Sequence, residues 1–352
     1  MSGALAGVRL PGSMRTWLVV GLLTSTVVLL VISLSAGVTV SQIASFGYIP
    51  LGLAAATVIV KLVLQVIKFR ILARGFSGNP GMDLSGAGKT RIGSEFVALS
   101  TPSMIGGEFV RAAWLASKGM EAGRALWIGY VEVCIDVYIG CAISLVAAAY
   151  AFTRGAVLLS TVISLAILPV IVAYTAFILV SFYKGIRIPT AVFDILALFL
   201  GEASARRLEA RVKRATDDFG KTAKLTMRKD SFSLILKAAC LGSAQALLSG
   251  VTLWLLLNPG GLRIDPISST LAVFGVQAIA SLPITIGGAG TSELGLQWYL
   301  SSVYGFSSWA SVVVWRLLSY QLVLLISGPV FIVFLKGMVK KDAEPSPRLD
   351  VR

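Results

Sequence analysis

Six ionisable residues stand in or beside apolar sequence: Glu108, Arg111, Glu132, Asp136, Glu293 and Arg316. A charge at bilayer depth costs about 2.5–3.5 kcal/mol on insertion scales, so each must pair with an opposite charge or face water. A carboxylate beside a guanidinium does one of two things there. It closes an ion pair that locks helices together, or it leaves a guanidinium able to take a phosphate in a bidentate grip. Glu132 and Asp136 are four residues apart, which puts both on one face of a helix. The chain has no histidine, which removes imidazole acid–base catalysis and most zinc-enzyme designs. Cys134, Cys141 and Cys240 sit in apolar runs and read as buried apolar residues rather than a disulfide framework or metal site. Asp217-Asp218 lies in a charge run. No catalytic residue, metal site or cofactor site follows from these patterns.

A repeated stretch frames the acids and arginines. Ser100-Thr-Pro-Ser-Met-Ile-Gly-Gly107 reads S-x-P-x-x-I-G-G, and Ser281-Leu-Pro-Ile-Thr-Ile-Gly-Gly288 repeats it with the same spacing. Glu108 follows the first copy directly, and Glu293 comes five residues after the second. Proline and paired glycines break a helix, and broken backbone is tolerated at membrane depth only where it is buried in protein or lines a wet cavity. Gly106, Gly107, Gly287, Gly288 and Gly290 admit positive φ and close backbone approach. A half-helix starting after each pair offers free N–H groups and a positive dipole end to an anion, with Thr291 and Ser292 as caps of the second. The alternative is that the glycines serve close helix packing alone.

These segments need a membrane scaffold. The 352 residues are 56% hydrophobic with a mean hydropathy of +0.84, the signature of a polytopic membrane protein. We expect an all-α fold with about six full transmembrane helices, at about 16–37, 51–67, 124–150, 156–183, 233–257 and 309–335. Two interrupted, re-entrant hairpins, at 92–120 and 267–304, complete it. The first apolar run lacks a cleavage site and reads as a retained helix. Residues 68–91 read as a basic connection. The single membrane domain divides into a first repeat half (about 16–150), helix 4 with a basic linker (about 156–230), a second half (about 233–338) and a basic tail (339–352). Nearly all the 31 basic residues fall in alternate connections and the two ends, so both termini are expected in the cytoplasm of a plasma-membrane protein. The first motif then enters from the cytoplasm and the second from outside. Such inverted repeats place their interrupted segments around a site near the midplane. The expected pairs are Glu108 or Glu132 with Arg316, and Glu293 with Arg111. Lys61, inside the second helix, either snorkels to the interface or faces inward toward an anionic ligand. Residues 203–229 form either an amphipathic helix on anionic inner-leaflet lipid or a solvated linker. Trp114, Trp127, Trp298, Trp309 and Trp315 read as interfacial belt residues.

In their order and spacing, Thr101-Pro-Ser-Met-Ile-Gly-Gly-Glu-Phe-Val-Arg111, Glu132 with Asp136, Leu282-Pro-Ile-Thr-Ile-Gly-Gly-Ala-Gly-Thr-Ser-Glu293 and Arg316 resemble the membrane domain of lysylphosphatidylglycerol synthase and its flippase-like relatives. The resemblance runs from about residue 15 to 338. Relatives commonly carry an arginine after the glutamate where this chain has Val133, which leaves Glu132 without an adjacent cation. Only 17 residues follow the last helix, so the resemblance implies translocation of a phospholipid or polyprenyl-phosphate-linked carrier rather than lipid synthesis. Two other functions fit the residues: a membrane-embedded head-group transferase with Glu108, Glu132 or Glu293 as general base, and a non-transporting scaffold for a glycosyltransferase or lipid synthase. No basic–aromatic pattern for nucleic acid is present. Sequence leaves the oligomeric state open.

Overall fold

The computed structural model describes residues 12–77, 83–101, 106–183, 210, 213, 216–224, 229–260, 264–282, 285 and 287–343; side chains are described for these except 12–22, 181–183, 229, 230, 260 and 337–343. Several expectations fall outside that set: the motif residues Pro102, Ile105, Pro283 and Ile286, the ends Arg9 and 344–352, Arg263, and most of the 203–229 segment.

The described residues contain helices and no strand. In chain order these are α1 (Gly12–Ser35), α2 (Val40–Ala44), α3 (Tyr48–Ser77), α4 (Leu84–Leu99), α5 (Gly107–Ser117), α6 (Ala122–Thr153), α7 (Val157–Tyr183), α8 (Lys229–Leu257), α9 (Pro266–Ala280), α10 (Thr291–Tyr304), α11 (Trp309–Arg316), a π-helical turn (Leu317–Gln321) and α12 (Leu322–Ala343). Among the described residues, five helical stretches are long and apolar enough to cross a membrane: Tyr48–Ser77, Ala122–Thr153, Val157–Val180, Ser231–Leu257 and Trp309–Lys336. Their outward faces are apolar, as with Leu53, Val63, Val172 and Leu325. A helix in hydrocarbon gains by such a surface, because it has no water to satisfy.

Two expected boundaries fail for a shared reason. α3 continues to Ser77 and α4 begins at Leu84, so most of the supposed basic connection at 68–91 is helix. Lys68 and Arg91 do not face water. They are 0% and 5% exposed and are neutralised by carboxylates from other helices. Of the five tryptophans expected at the interface, Trp114, Trp127 and Trp315 are buried in the core, while Trp298 and Trp309 are partly buried. Of the cysteines, Cys134 and Cys141 are buried and Cys240 is exposed.

The helices are arranged as two matched sets. α3 leads into the broken pair α4/α5, followed by α6; α8 leads into α9/α10, followed by the α11–α12 helix. α3 and α8 form the most extensive contact of the bundle, and they run antiparallel. Thr57 Oγ1 lies 2.7 Å from Thr252 Oγ1, and Gly75 abuts Leu234. Both contacts obey one register, in which residue i of α3 faces residue 309 − i of α8. The first arms are then exchanged. α4 packs on α12, the continuation of the second set, while α9 packs on α6, the last helix of the first. Close approach makes both contacts. A Cβ on Gly93 of α4 would come within 3.2 Å of the Phe331 backbone, and Gly140 of α6 lies under the Phe274 ring of α9. Ser144 donates to the Phe274 carbonyl and Tyr299 to the Ala147 carbonyl, tying α6 to α9 and α10. Because α3 and α8 are antiparallel, the two broken pairs begin at opposite ends of the bundle. Residues 216–224 dock through Phe219, whose ring meets Trp127 edge-on at 5.0 Å.

Candidate functional site

The first broken pair closes around Glu132. This side chain is 0% exposed, and three helices supply its cations. Arg91 Nε of α4 donates to Oε1 at 2.8 Å, Lys68 Nζ of α3 lies 4.0 Å from Oε1, and Arg111 Nε of α5 lies 3.0 Å from Oε2. Val133 therefore leaves no deficit: the cation missing next door in sequence arrives through space. One helical turn on, Asp136 pairs with Lys68 at 2.5 Å, and its side chain is 39% exposed while that of Lys68 is wholly buried. Arg91 Nη1 also holds Glu95 at 2.5 Å, four residues along α4. Ser94 accepts from Arg111 Nη1 at 3.1 Å. The result is a balanced network of Lys68, Arg91 and Arg111 against Glu95, Glu132 and Asp136. Such a network stays charged in an apolar bundle only because every charge faces an opposite one. Gly242 of α8 gives it room: a Cβ there would sit 3.2 Å from Asp136 Oδ1.

The second broken pair holds a smaller centre. Arg316 Nε lies 3.0 Å from Glu293 Oε1, Nη2 donates to the Gly287 carbonyl at 2.6 Å, and Nη1 reaches Ser292 Oγ at 3.4 Å. The guanidinium also lies over the Tyr320 ring, 4.1 Å from its centroid, in cation–π contact. The helix winds into a π turn at Leu317–Gln321, directly after Arg316. A π turn displaces the following residues around the axis, and such turns are frequent at functional sites.

The expected cross-repeat pairs do not form. Arg111 pairs with Glu132 and Arg316 with Glu293, each within its own set. The charges are exchanged between the two. In the first set the arginine is on the half-helix and the acid on the helix that follows; in the second, the acid is on the half-helix and the arginine follows. Both Nε–carboxylate contacts are 3.0 Å long, yet neither has hydrogen-bond alignment. Sequence order alone misassigned the pairs, because each broken pair folds back against the next helix of the same set.

At each half-helix N-terminus one backbone donor is already taken. Glu108 Oε2 accepts from the Gly106 N–H at 3.1 Å, and Glu293 Oε2 from the Gly290 N–H at 2.8 Å. Each half-helix thus places a first-turn acid at its N-terminus, the arrangement that the helix dipole favours. Thr291 and Ser292 are helical rather than capping: Thr291 Oγ1 donates to the Gly288 carbonyl, and Ser292 serves Arg316. Gly287 shows why that position is glycine. Its φ is +59°, and a Cβ would run into the Tyr320 ring and hydroxyl. Gly107, by contrast, is helical and excludes a side chain by contact: its Cβ would lie 2.8 Å from the Ser94 carbonyl.

Tyr320 joins the two centres. Its hydroxyl donates to the Leu99 carbonyl at 2.7 Å, where α4 ends at the first motif, while its ring carries Arg316 and packs on Gly287 of the second. The broken segments thus meet across one aromatic side chain, but their charges remain in separate clusters. Lys68, Arg91, Ser94 and Tyr320 were not identified from sequence. The available signals were Lys68 seven residues after Lys61 on one helical face, and Arg91 four residues before Glu95. A half-open cavity of about 350 Å³ lies elsewhere, lined by Gln42, Pro259, Ser307 and Trp309 among others, and none of the candidate charges lines it.

No curated protein matches the chain. Residues 18–328, which include both broken pairs and every charge of the two centres, match the family described as the lysylphosphatidylglycerol synthase TM region. The chain is a membrane protein that belongs to the lysylphosphatidylglycerol synthase TM region family.

Proposed function

We propose that this protein moves a phospholipid or a polyprenyl-phosphate-linked carrier between the leaflets of the cell membrane, with both of its termini cytoplasmic and its two broken pairs re-entrant from opposite sides. The observation that carries the reading is the six-charge network around Glu132, inside a bundle whose outward faces are apolar, with Asp136 39% exposed at its edge. Buried charge is expensive in hydrocarbon, and its retention points to a polar cargo. In this reading the head group enters beside Asp136, exchanges contacts with the network, and leaves on the other side, while the acyl or prenyl chains remain in lipid. The Glu293–Arg316 centre holds the second broken pair in place and relays movement through Tyr320. Separate enzymes that make or consume the lipid, a synthase or a glycosyltransferase, are the partners implied. The basic 203–229 segment would meet anionic inner-leaflet lipid.

The test is reconstitution of the full chain into vesicles carrying head-group-labelled lipid in both leaflets. Faster loss of inner-leaflet protection than in protein-free vesicles is expected. Folded protein that leaves the rate unchanged for phosphatidylglycerol, phosphatidylethanolamine and a polyprenyl phosphate would contradict the reading.

A further inference from the structure

The half-open cavity of about 350 Å³ is walled by the ends of helices rather than by their faces. Gln42 belongs to the short α2, Pro259 to the turn after α8, and Ser307, Ser308 and Trp309 to the start of α11. Two stretches long and apolar enough to cross a membrane, Ser231–Leu257 and Trp309–Lys336, have an end here. A third, Tyr48–Ser77, begins just after Phe46, which also lines the wall. The cavity therefore lies at a bilayer boundary, at the end of the bundle where α8 hands over to the second broken pair.

Among the described residues, none that lines it is charged. A phosphate, carboxylate or ammonium group would lose water there and gain no counter-charge. The wall offers hydroxyls, an amide and two aromatic rings instead. The hydrogen bonds among the described residues fix what each polar group has left to give. Gln42 Oε1 accepts from the Thr39 N–H at 3.1 Å, which leaves Nε2 to donate. Ser45 Oγ donates to the Gln42 carbonyl and Ser308 Oγ to Ser311 Oγ, each at 2.7 Å, which leaves both oxygens to accept. Ser307 Oγ accepts from Gln297 Nε2 at 2.5 Å, which leaves its own hydrogen to donate. Gln297 also accepts from the Ser308 N–H at 3.2 Å, so the loop is held in shape before any ligand arrives. Spare donors and spare acceptors in one wall suit hydroxyl groups, which give and take hydrogen bonds alike. Trp309 and Phe46 add apolar ring surface. A neutral sugar ring has the matching make-up, with C–H bonds on one face and hydroxyls around its edge, and a cavity of this size with apolar walls and a few placed polar groups is a small-molecule site in kind.

We propose that this cavity is a glycosyl-binding site, which takes one neutral hexopyranose ring with its C–H face on Trp309 and its hydroxyls on Gln42, Ser45, Ser307 and Ser308. The ring is either a free sugar or the head group of a glycolipid. The site involves neither charge centre and does not rest on the transport reading. The test uses the purified full chain in a polyoxyethylene detergent, which carries no sugar of its own. Binding of methyl β-glucopyranoside is followed by saturation-transfer-difference NMR. Retention of glucosyldiacylglycerol against diacylglycerol of the same chains is followed by native mass spectrometry. Wild type should bind the glucoside, or prefer the glucolipid, or both. The glucoside result assigns the site to a free sugar, and a glucolipid preference alone assigns it to a lipid head group. Gln42→Ala removes a donor and should weaken the binding seen by about ten-fold. Trp309→Ala should weaken it by at least about as much, while Trp309→Phe keeps an aromatic face and most of the binding. Gln42 is exposed, so Gln42→Ala keeps the test readable if Trp309→Ala does not fold. Folded wild type that binds neither probe overturns the proposal, as does binding that is unchanged in Gln42→Ala. Tighter binding of glycerol 1-phosphate than of the glucoside overturns it too, because the cavity would then be an anion site.

Discussion

Arg316 contacts a carboxylate, a carbonyl, a hydroxyl and an aromatic ring, and Glu132 sits among three cations. Truncating one partner of a buried pair strands the other. Arg316→Leu and Glu293→Leu should each destabilise by about 3–5 kcal/mol, and the double variant should lose clearly less than their sum, retaining the cost of the Gly287 carbonyl and Gly290 N–H left without these partners. Thermal melting in detergent gives the cycle, and additive losses would show that the two residues do not act as a pair. The same cycle on Arg111 and Glu132 should behave differently, because removing both still leaves Arg91 and Lys68 without Glu132. The individual charges of these centres were legible in sequence as acids and arginines beside broken apolar segments. Lys68 and Arg91 were not, because a basic residue near the end of an apolar run has the same local signature whether it marks the membrane edge or enters a buried pair. Only the carboxylates of α6 and α4 distinguish the two cases, and they are far away in sequence or one helical turn off.

The broken pairs and the helices that follow them act as units joined at Tyr320. Gly287 combines positive φ with the Tyr320 contact, so Gly287→Ala should cost about 1–3 kcal/mol through strain and overpacking. Tyr320→Phe keeps the ring under Arg316 but leaves the Leu99 carbonyl without its donor, a loss of about 1–3 kcal/mol. Hydrogen exchange should then rise at Leu99–Thr101 with α8 unchanged; a uniform rise would mean that Tyr320 is ordinary core. At the mouth of the second pair, Asp265 caps α9 by accepting from the Ile267 and Ser268 N–H groups. Hydrogen bonds from Ser268 hold its carboxyl below the usual carboxylate range. A depressed folded-state value means that this contribution is present above the unfolded carboxylate range and is lost as pH falls through the lower folded value. Asp265→Ala should therefore cost about 1 kcal/mol at neutral pH and progressively less in acid. The motif proline and glycines made the breaks legible, since they interrupt two apolar segments with the same spacing. Sequence does not show that Glu108 and Glu293 fold back to take the Gly106 and Gly290 N–H groups.

At the scale of the whole molecule, two sets of helices are related by an antiparallel α3–α8 pair and exchange their first arms. The two motifs marked where both sets break, whereas the 68–91 basic segment, read as a connection, is mostly helix with Lys68 and Arg91 buried. The exchange was not legible, since hydropathy marks which face is apolar and says nothing about which helix covers it. After replacement of Cys134, Cys141 and Cys240, Thr57→Cys with Thr252→Cys should cross-link within one chain on mild oxidation, as the antiparallel register requires. The central claim is that the broken pairs open toward opposite sides of the membrane. Its most direct measurement is sided labelling in intact cells of that cysteine-free protein carrying one new cysteine, Lys118→Cys beside the first pair or Ser307→Cys beside the second, both at exposed positions. A membrane-impermeant maleimide added from outside should label Ser307→Cys and reach Lys118→Cys only after the cells are opened. Labelling of both from the same side would contradict the account.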